Sequence, residues 1–167
     1  TGYMLFKRFN RSISKTSPGV ASQNRPSIIF RLADFYLIYA EVANEVNPSD
    51  SRVLTYLNLV RERAGLPKVE ILNPGIVGNK ELQRAAIQRE RQIELATEGQ
   101  RYFDVRRWMI ADKDGEGRQN GYAHGMNVRG TINDTEEFNR VVETEKIVFN
   151  RKMYLQPIPD HEMRKTQ

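Results

Sequence analysis

The stretch RERQIELATEGQRYFDVRRW, residues 89–108, decides how this chain is read. It sets Arg89, Glu90, Arg91, Glu94, Glu98, Arg101, Asp104, Arg106 and Arg107 among Tyr102, Phe103 and Trp108, the one tryptophan of the chain. Two readings compete. Glu90 and Glu94 are four apart, so on a helix their carboxylates share a face, and a carboxylate pair is what glycoside hydrolysis needs. That reaction places its carboxylates about 5–10 Å apart across a sugar, and two glutamates one turn apart on one helix seldom flank a cleft. Ion pairing with arginines such as Arg61, Arg63, Arg91 or Arg101 is the favoured reading. If buried, such a cluster must be nearly fully paired, because an unpaired buried charge is strongly destabilising.

Working outward, Asn79 is placed to cap a helix from Lys80 that carries Leu82, Ala86, Ile93 and Ala96 toward a core. Gly99 ends or kinks it, and QRYFDVRRWMIAD reads as a shorter helix with Tyr102, Val105, Trp108 and Met109 at three-and-four spacing. Upstream, IIFRLADFYLIYAEVANEV (28–46) is the longest apolar region, with Leu32, Phe35, Tyr36, Tyr39, Ala43 and Val46 at the helical period. Asn47-Pro48 stops that helix. Asp50 or Ser51 caps a second, SRVLTYLNLVRERAG, with Val53, Leu57, Val60 and Ala64 on one face and Gly65 as C-cap ahead of Pro67. The expected fold is mainly helical: tetratricopeptide-like hairpins over about 28–112, with long loops and a few short strands. The full tetratricopeptide consensus is absent.

The flanks are less regular. Residues 3–9 read as a short strand or extended arm, 10–27 as a loop, 68–79 as a connector and 113–135 as a long glycine-rich surface loop. Residues 136–167 hold short strands and a closing segment: KIVFN and MYLQ read as strands, PIPD as a stiff turn, and Asp160 as the cap of a last helix.

The 167 residues make one domain the default. Lys plus Arg (26) exceeds Asp plus Glu (21), giving +5; this mildly suits anionic partners, but a mixed solubilising surface explains it better. The absence of cysteine excludes disulfides, thiol catalysis, cysteine-ligated zinc and an acyl anchor on cysteine within these residues. No run approaches the length of a membrane span, and no signal peptide is visible. The chain opens on TGYMLFKRF and stops in EMRKTQ, so both ends read as cut and a longer parent is expected. His124 and His161 lack a Glu-x-x-His partner, and HEMRK departs from His-Glu-x-x-His at Lys165, so neither a metal nor a cofactor is expected. FKRFNR and RYFDVRRW offer only part of a nucleic-acid footprint, and nucleic-acid binding is disfavoured. Trp108 is the candidate indole for stacking on a sugar, although its spacing beside Val105 and Met109 favours a core position. The loop residues Tyr122, Asn120, His124 and Asn127 are better placed for ligand contact.

These segments, in order, resemble the SusD/RagB family of nutrient-binding outer-membrane lipoproteins of Bacteroidetes. IIFRLADFYLIYAEVANE is similar to the family's Arg-Leu-Ala-Glu-x-Tyr-Leu-x-Tyr-Ala-Glu-Ala segment, with Asp34 in place of glutamate. LNLVRERAGLP resembles its Leu-Asn-x-(Ile/Val)-Arg-x-Arg-Ala-Gly motif, RERQIELATEGQRYFDVRRW its signature, and HGMNVRG and YLQPIPDHEM its later loop and closing motif. TGYMLFKRF resembles the strand before its last helical repeats. The resemblance implies that residues 1–167 are the C-terminal portion of such a domain, with the N-terminal portion absent. It implies that Arg61, Arg63, Glu90, Arg91, Glu94, Glu98, Arg101, Asp104 and Arg107 form a structural signature and that no residue is catalytic. It also implies capture of an oligosaccharide, or less often a peptide, and delivery to a TonB-dependent SusC-like transporter. The parent would be held on the extracellular face of the outer membrane by a lipid anchor outside this chain. A helical-repeat scaffold that binds protein without glycan affinity is the alternative, and a glycoside hydrolase the third reading.

Overall fold

Asn47-Pro48 acts as a helix stop: in the computed structural model α1 spans Leu32–Val46, and Asn47 leaves it in extended backbone (φ −148°, ψ 97°). The structure describes residues 7, 28–113, 121–125, 142–155 and 158–166. The chain divides into two units, Pro26–Asp104 and Thr1–Arg25 with Val105–Gln167. The expected arm at 3–9, Lys7 apart, and the loop at 10–27 lie outside the described residues.

The first unit is helical. The Asp50 carboxylate accepts the Arg52 N–H at 2.9 Å and so opens α2, Arg52–Arg63. Of the two expected caps it is Asp50 that acts, since Ser51 makes no side-chain cap bond. Gly65 closes α2 with φ 75°, a left-handed conformation that costs a glycine little. The N–H groups of Gly65 and Leu66 return to the carbonyls of Glu62 and Arg61. Residues 68–79 are more than a connector. They hold a turn of helix, α3 (Val69–Leu72), and a 3-10 turn (Pro74–Ile76), which bury Val69 and Ile76. Asn79 caps α4, Lys80–Glu94, accepting the Leu82 N–H at 3.2 Å. α5 runs Gln100–Arg107 after Gly99, whose φ is 83°. α1 packs on α2 and α4, and α4 on α2, around Leu37, Ala40, Val53, Leu57, Val60 and Ile87.

Two helix faces differ from the sequence expectation. α1 buries Ala33, Asp34, Leu37, Ala40 and Asn44, whereas Leu32, Phe35, Tyr39 and Val46 are exposed. α4 buries Gln83, Ile87, Glu90 and Arg91, leaving Leu82 and Ile93 exposed. Ala64 is exposed at the end of α2, and Tyr102 and Met109 are exposed while Val105 is buried. Periodicity selects the most apolar stripe. These interfaces instead use small residues for close approach and polar residues, of which Asp34, Asn44, Glu90 and Arg91 have specific partners.

In the second unit, β1 (Gly121–Gly125) pairs antiparallel with β2 (Val142–Ile147), with Tyr122 opposite Lys146, His124 opposite Glu143, and an irregularity between. β1 thus lies inside the stretch read as a loop. Of KIVFN only Lys146 and Ile147 belong to a strand. Met153 and Tyr154 of MYLQ are not in a strand: Arg151–Tyr154 is a 3-10 turn closed by the Met153 N–H to the Asn150 carbonyl at 2.8 Å, and Gln156 lies outside the described residues. That turn brings the Tyr154 ring edge-on to Phe149, with centroids 5.0 Å apart. Val105, Ala111 and Phe149 are buried there, with Ile110 and Tyr154 against them. The Tyr154 hydroxyl donates to Asp112 at 2.6 Å, and this bond holds the Asp112 carboxyl below the usual range. Burial, then the same hydrogen bond, raises the Tyr154 phenol. The last helix, α6 (Asp160–Met163), begins where expected, with Asp160 inside it rather than capping it.

Candidate functional site

Arg91 is the centre of the charged stretch. Its side chain is only 3% exposed, so its charge needs anionic partners within the protein. Nε and Nη2 donate to the two Asp104 oxygens at 3.0 and 3.2 Å, and Nη1 donates to Asp34 at 2.9 Å. The planar fork of a guanidinium makes this two-sided arrangement possible, and an ammonium could not reproduce it. One side chain of α4 thereby fixes the start of α1 and the middle of α5.

A second arginine does the same one turn further along. Arg31, just before α1, donates Nε to both Glu98 oxygens at 2.9 and 3.1 Å, Nη2 to the Glu94 carbonyl at 2.6 Å, and Nη1 to the Glu94 carboxylate. Burial acts to lower the Arg31 pKa, and hydrogen bonds to Glu98 and Glu94 outweigh it, so the pKa is raised. Arg63 reaches the same Glu94 oxygen from α2. Arg61 donates Nη1 to Glu90 at 2.9 Å and Nε to the Pro67 carbonyl at 3.1 Å, holding the turn after α2 against α4. Asn58 completes the framework. Its amide donates to Glu70 and its oxygen accepts the Val69 N–H at 3.0 Å, which seats α3 on α2.

Glu90 and Glu94 are therefore each engaged by guanidinium groups, in a geometry that locks helices together. A groove of about 430 Å³ between α2, α3 and α4 has Leu57, Val69, Ile93 and the Arg61–Glu90 pair in its walls. Among the described residues no group of three or more His, Asp or Glu is placed to hold a metal ion. No helix among them is long and apolar enough to cross a membrane.

Of the signature residues, Arg61, Arg63, Glu90, Arg91, Glu94, Glu98 and Asp104 are brought together with Arg31 and Asp34. Arg101 is half-buried on α5, and the Arg107 guanidinium lies 4.6 Å from the Trp108 ring centroid. Trp108 is half-buried after α5, Tyr122 and His124 stand on β1, and Asn120 and Asn127 lie outside the described residues. Sequence reasoning missed Arg31 and Asp34 as members of the cluster. The available signal was an acidic residue inside an otherwise apolar helical run, where an unpartnered carboxylate is not tolerated.

The sequence model of the SusD family matches residues 1–167. A SusD-like protein P25 of Formosa agariphila is 44% identical over 106 residues, covering 64% of this chain and 19% of that protein. A SusD-like protein of Bacteroides ovatus is 36% identical over 93 residues, 53% of this chain and 15% of that protein. The solved structure of selenomethionine BT4246 superposes with a TM-score of 0.65 at 34% identity, over 86% of this chain and 24% of that one. The matched segments thus span less than a fifth of the curated relatives' length.

Proposed function

This chain belongs to the SusD family, and from that membership we propose that the longer protein containing it binds an oligosaccharide and delivers it to a TonB-dependent, SusC-like transporter. Binding takes place on the extracellular face of the outer membrane, through a lipid anchor outside these residues. The observation that carries the reading is the family match over all 167 residues, and members of the family are typically non-catalytic binding proteins. The charged signature supports it, since Glu90 and Glu94 are engaged in ion pairs with Arg61, Arg31 and Arg63. In this reading the signature residues, Arg101 and Arg107 among them, hold the scaffold. Trp108, Tyr122, Asn120, His124 and Asn127 are the proposed ligand contacts, because aromatic faces stack on pyranose rings and amides bond their hydroxyls.

Calorimetry of the full-length protein against a panel of polysaccharides and peptides, with product analysis of each mixture, tests the reading. The expected result is binding of a glycan without turnover, weakened by Trp108→Ala or Tyr122→Ala at unchanged melting temperature. Peptide binding alone would transfer the same role to a peptide nutrient. Affinity for a protein partner with none for glycans would replace it by the scaffold reading. Turnover abolished by Glu94→Gln would overturn it outright.

A further inference from the structure

The seam between α1 and α4 is tied at one end by an ion pair: Asp34, near the start of α1, is bonded to Arg91, near the end of α4. The other end is built differently. Asn44, in the last turn of α1, and Gln83, in the first turn of α4, are each 1% exposed. Asn44 Nδ2 donates to the Lys80 carbonyl at 3.0 Å, so the end of α1 lies on the first turn of α4. Gln83 follows Lys80 by three residues and stands on the same side of that helix. Asn44 Oδ1 and Gln83 Oε1 are both buried, and neither has a hydrogen-bond partner among the described residues. Buried polar atoms nearly always find a partner, so two orphaned acceptors in one seam call for a donor. The donors beside them are committed. Lys80 Nζ donates to the Glu45 carbonyl at 2.9 Å and pairs with the Glu45 carboxylate, and Arg84 is bound to Glu45 and Glu81. At 1% exposure, neither amide is open to a side chain arriving from another segment or another molecule.

We infer that Asn44 and Gln83 form the binding site of one buried water molecule, which donates one O–H to Asn44 Oδ1 and the other to Gln83 Oε1. Two acceptors facing one seam need two donors from a neutral group of small volume, and water is that group. Buried waters characteristically satisfy polar groups that the chain leaves without partners. A metal ion suits the place less well. Its ligands would be two uncharged amide oxygens, the Lys80 ammonium belongs to the same turn of α4, and the Glu45 carboxylate is already matched by Lys80 and Arg84. The water accounts for two amides in a seam otherwise made of Ala33, Leu37, Ala40 and Ile87. It holds the Asn44 end of α1 against α4, as Arg91 holds the Asp34 end. The inference stands apart from the proposed function, because this chain alone buries both amides.

The test is a crystal structure of the full-length protein that shows ordered water. The expected result is a single solvent peak at about 2.7–2.8 Å from both oxygens. No peak in the seam, a peak on one oxygen only, a metal ion at about 2.3–2.6 Å, or a direct bond between the two amides would each overturn the inference. Oxygen-17 relaxation dispersion of water reads the same site in solution. The double variant Asn44→Leu with Gln83→Met removes both oxygens at similar volume and is expected to lose the signal of one long-lived water; an unchanged signal would overturn the inference. Should that variant fail to fold, the crystal structure of the unmodified protein decides alone. Neither readout involves a glycan, so a protein that binds none but holds this water leaves the inference standing while the proposed function falls.

Discussion

On its inward face α1 carries Asp34 and Asn44 among Ala33, Leu37 and Ala40; on its outward face it carries Phe35, Tyr39, Val42 and Val46. The face that is buried is the more polar one. Inward, the carboxylate of Asp34 is matched by Arg91, and small side chains let α2 and α4 come close. Outward, Tyr39 packs against Tyr56 and Phe35 against Phe30, yet these larger side chains stay exposed. The contrast teaches that burial on this helix follows specific partners and close approach, not apolarity alone.

The largest expected effect tests the inward face. Arg91→Ala leaves Asp34 and Asp104 buried without their shared guanidinium, and urea unfolding of the full-length protein should show a loss of about 3–5 kcal/mol. A loss below about 1 kcal/mol, the scale of an exposed pair, would break the comparison. Replacing all three residues together, Asp34→Leu, Arg91→Met and Asp104→Leu, should recover most of that loss, because a packed apolar set removes the desolvation penalty along with the attraction.

Arg31→Lys is next. It keeps the charge but surrenders the fork that serves Glu94 and Glu98 together, and should cost about 2 kcal/mol, the worth of one charge-assisted hydrogen bond. A neutral result would mean that charge alone, without geometry, holds the start of α1. Val42→Ala sharpens the outward side. With Val42 exposed, the change in urea unfolding should stay within about 0.5 kcal/mol, and a loss of about 1 kcal/mol or more would show that the outward face is buried.

The smallest effect lies at the far end of α1. Hydrogen bonding from Arg84, opposed by partial burial and reinforced by Lys80, lowers the Glu45 carboxyl to about 2. A depressed folded-state pKa contributes stability above the unfolded value, near 4.5, that is lost as pH falls toward 2. Glu45 is largely exposed, so solvent screening limits this to at most about 1 kcal/mol. Glu45→Gln should therefore lower the melting temperature slightly at pH 6, and the difference from the parent should shrink between pH 4.5 and 2.

Local signals in the chain located the helices well. Asn47-Pro48 ends α1, Gly65 closes α2, Asn79 opens α4 and Gly99 separates α4 from α5. Each works through bonds to residues a few positions away, so each is legible in a short window. Pairing of Glu90 and Glu94 with arginines was also legible, because a helical face holding two carboxylates demands cations if buried. The strand at Tyr122 and His124 was not, since its bonds are made to Val142–Ile147 across the intervening residues.

The sequence by itself determined that this chain is mainly helical, where α1 stops, where α2 and α4 are capped, and which family it belongs to, because those properties are written in local spacing and ordered motifs. Tertiary structure alone decided which face of α1 and of α4 turns inward, and that Arg31 and Asp34 join a cluster 57–67 residues away. Apolarity does not tell the buried face of these helices from the exposed one. What separates them is the match of guanidinium to carboxylate and of small side chain to neighbouring helix, and neither exists until distant segments meet.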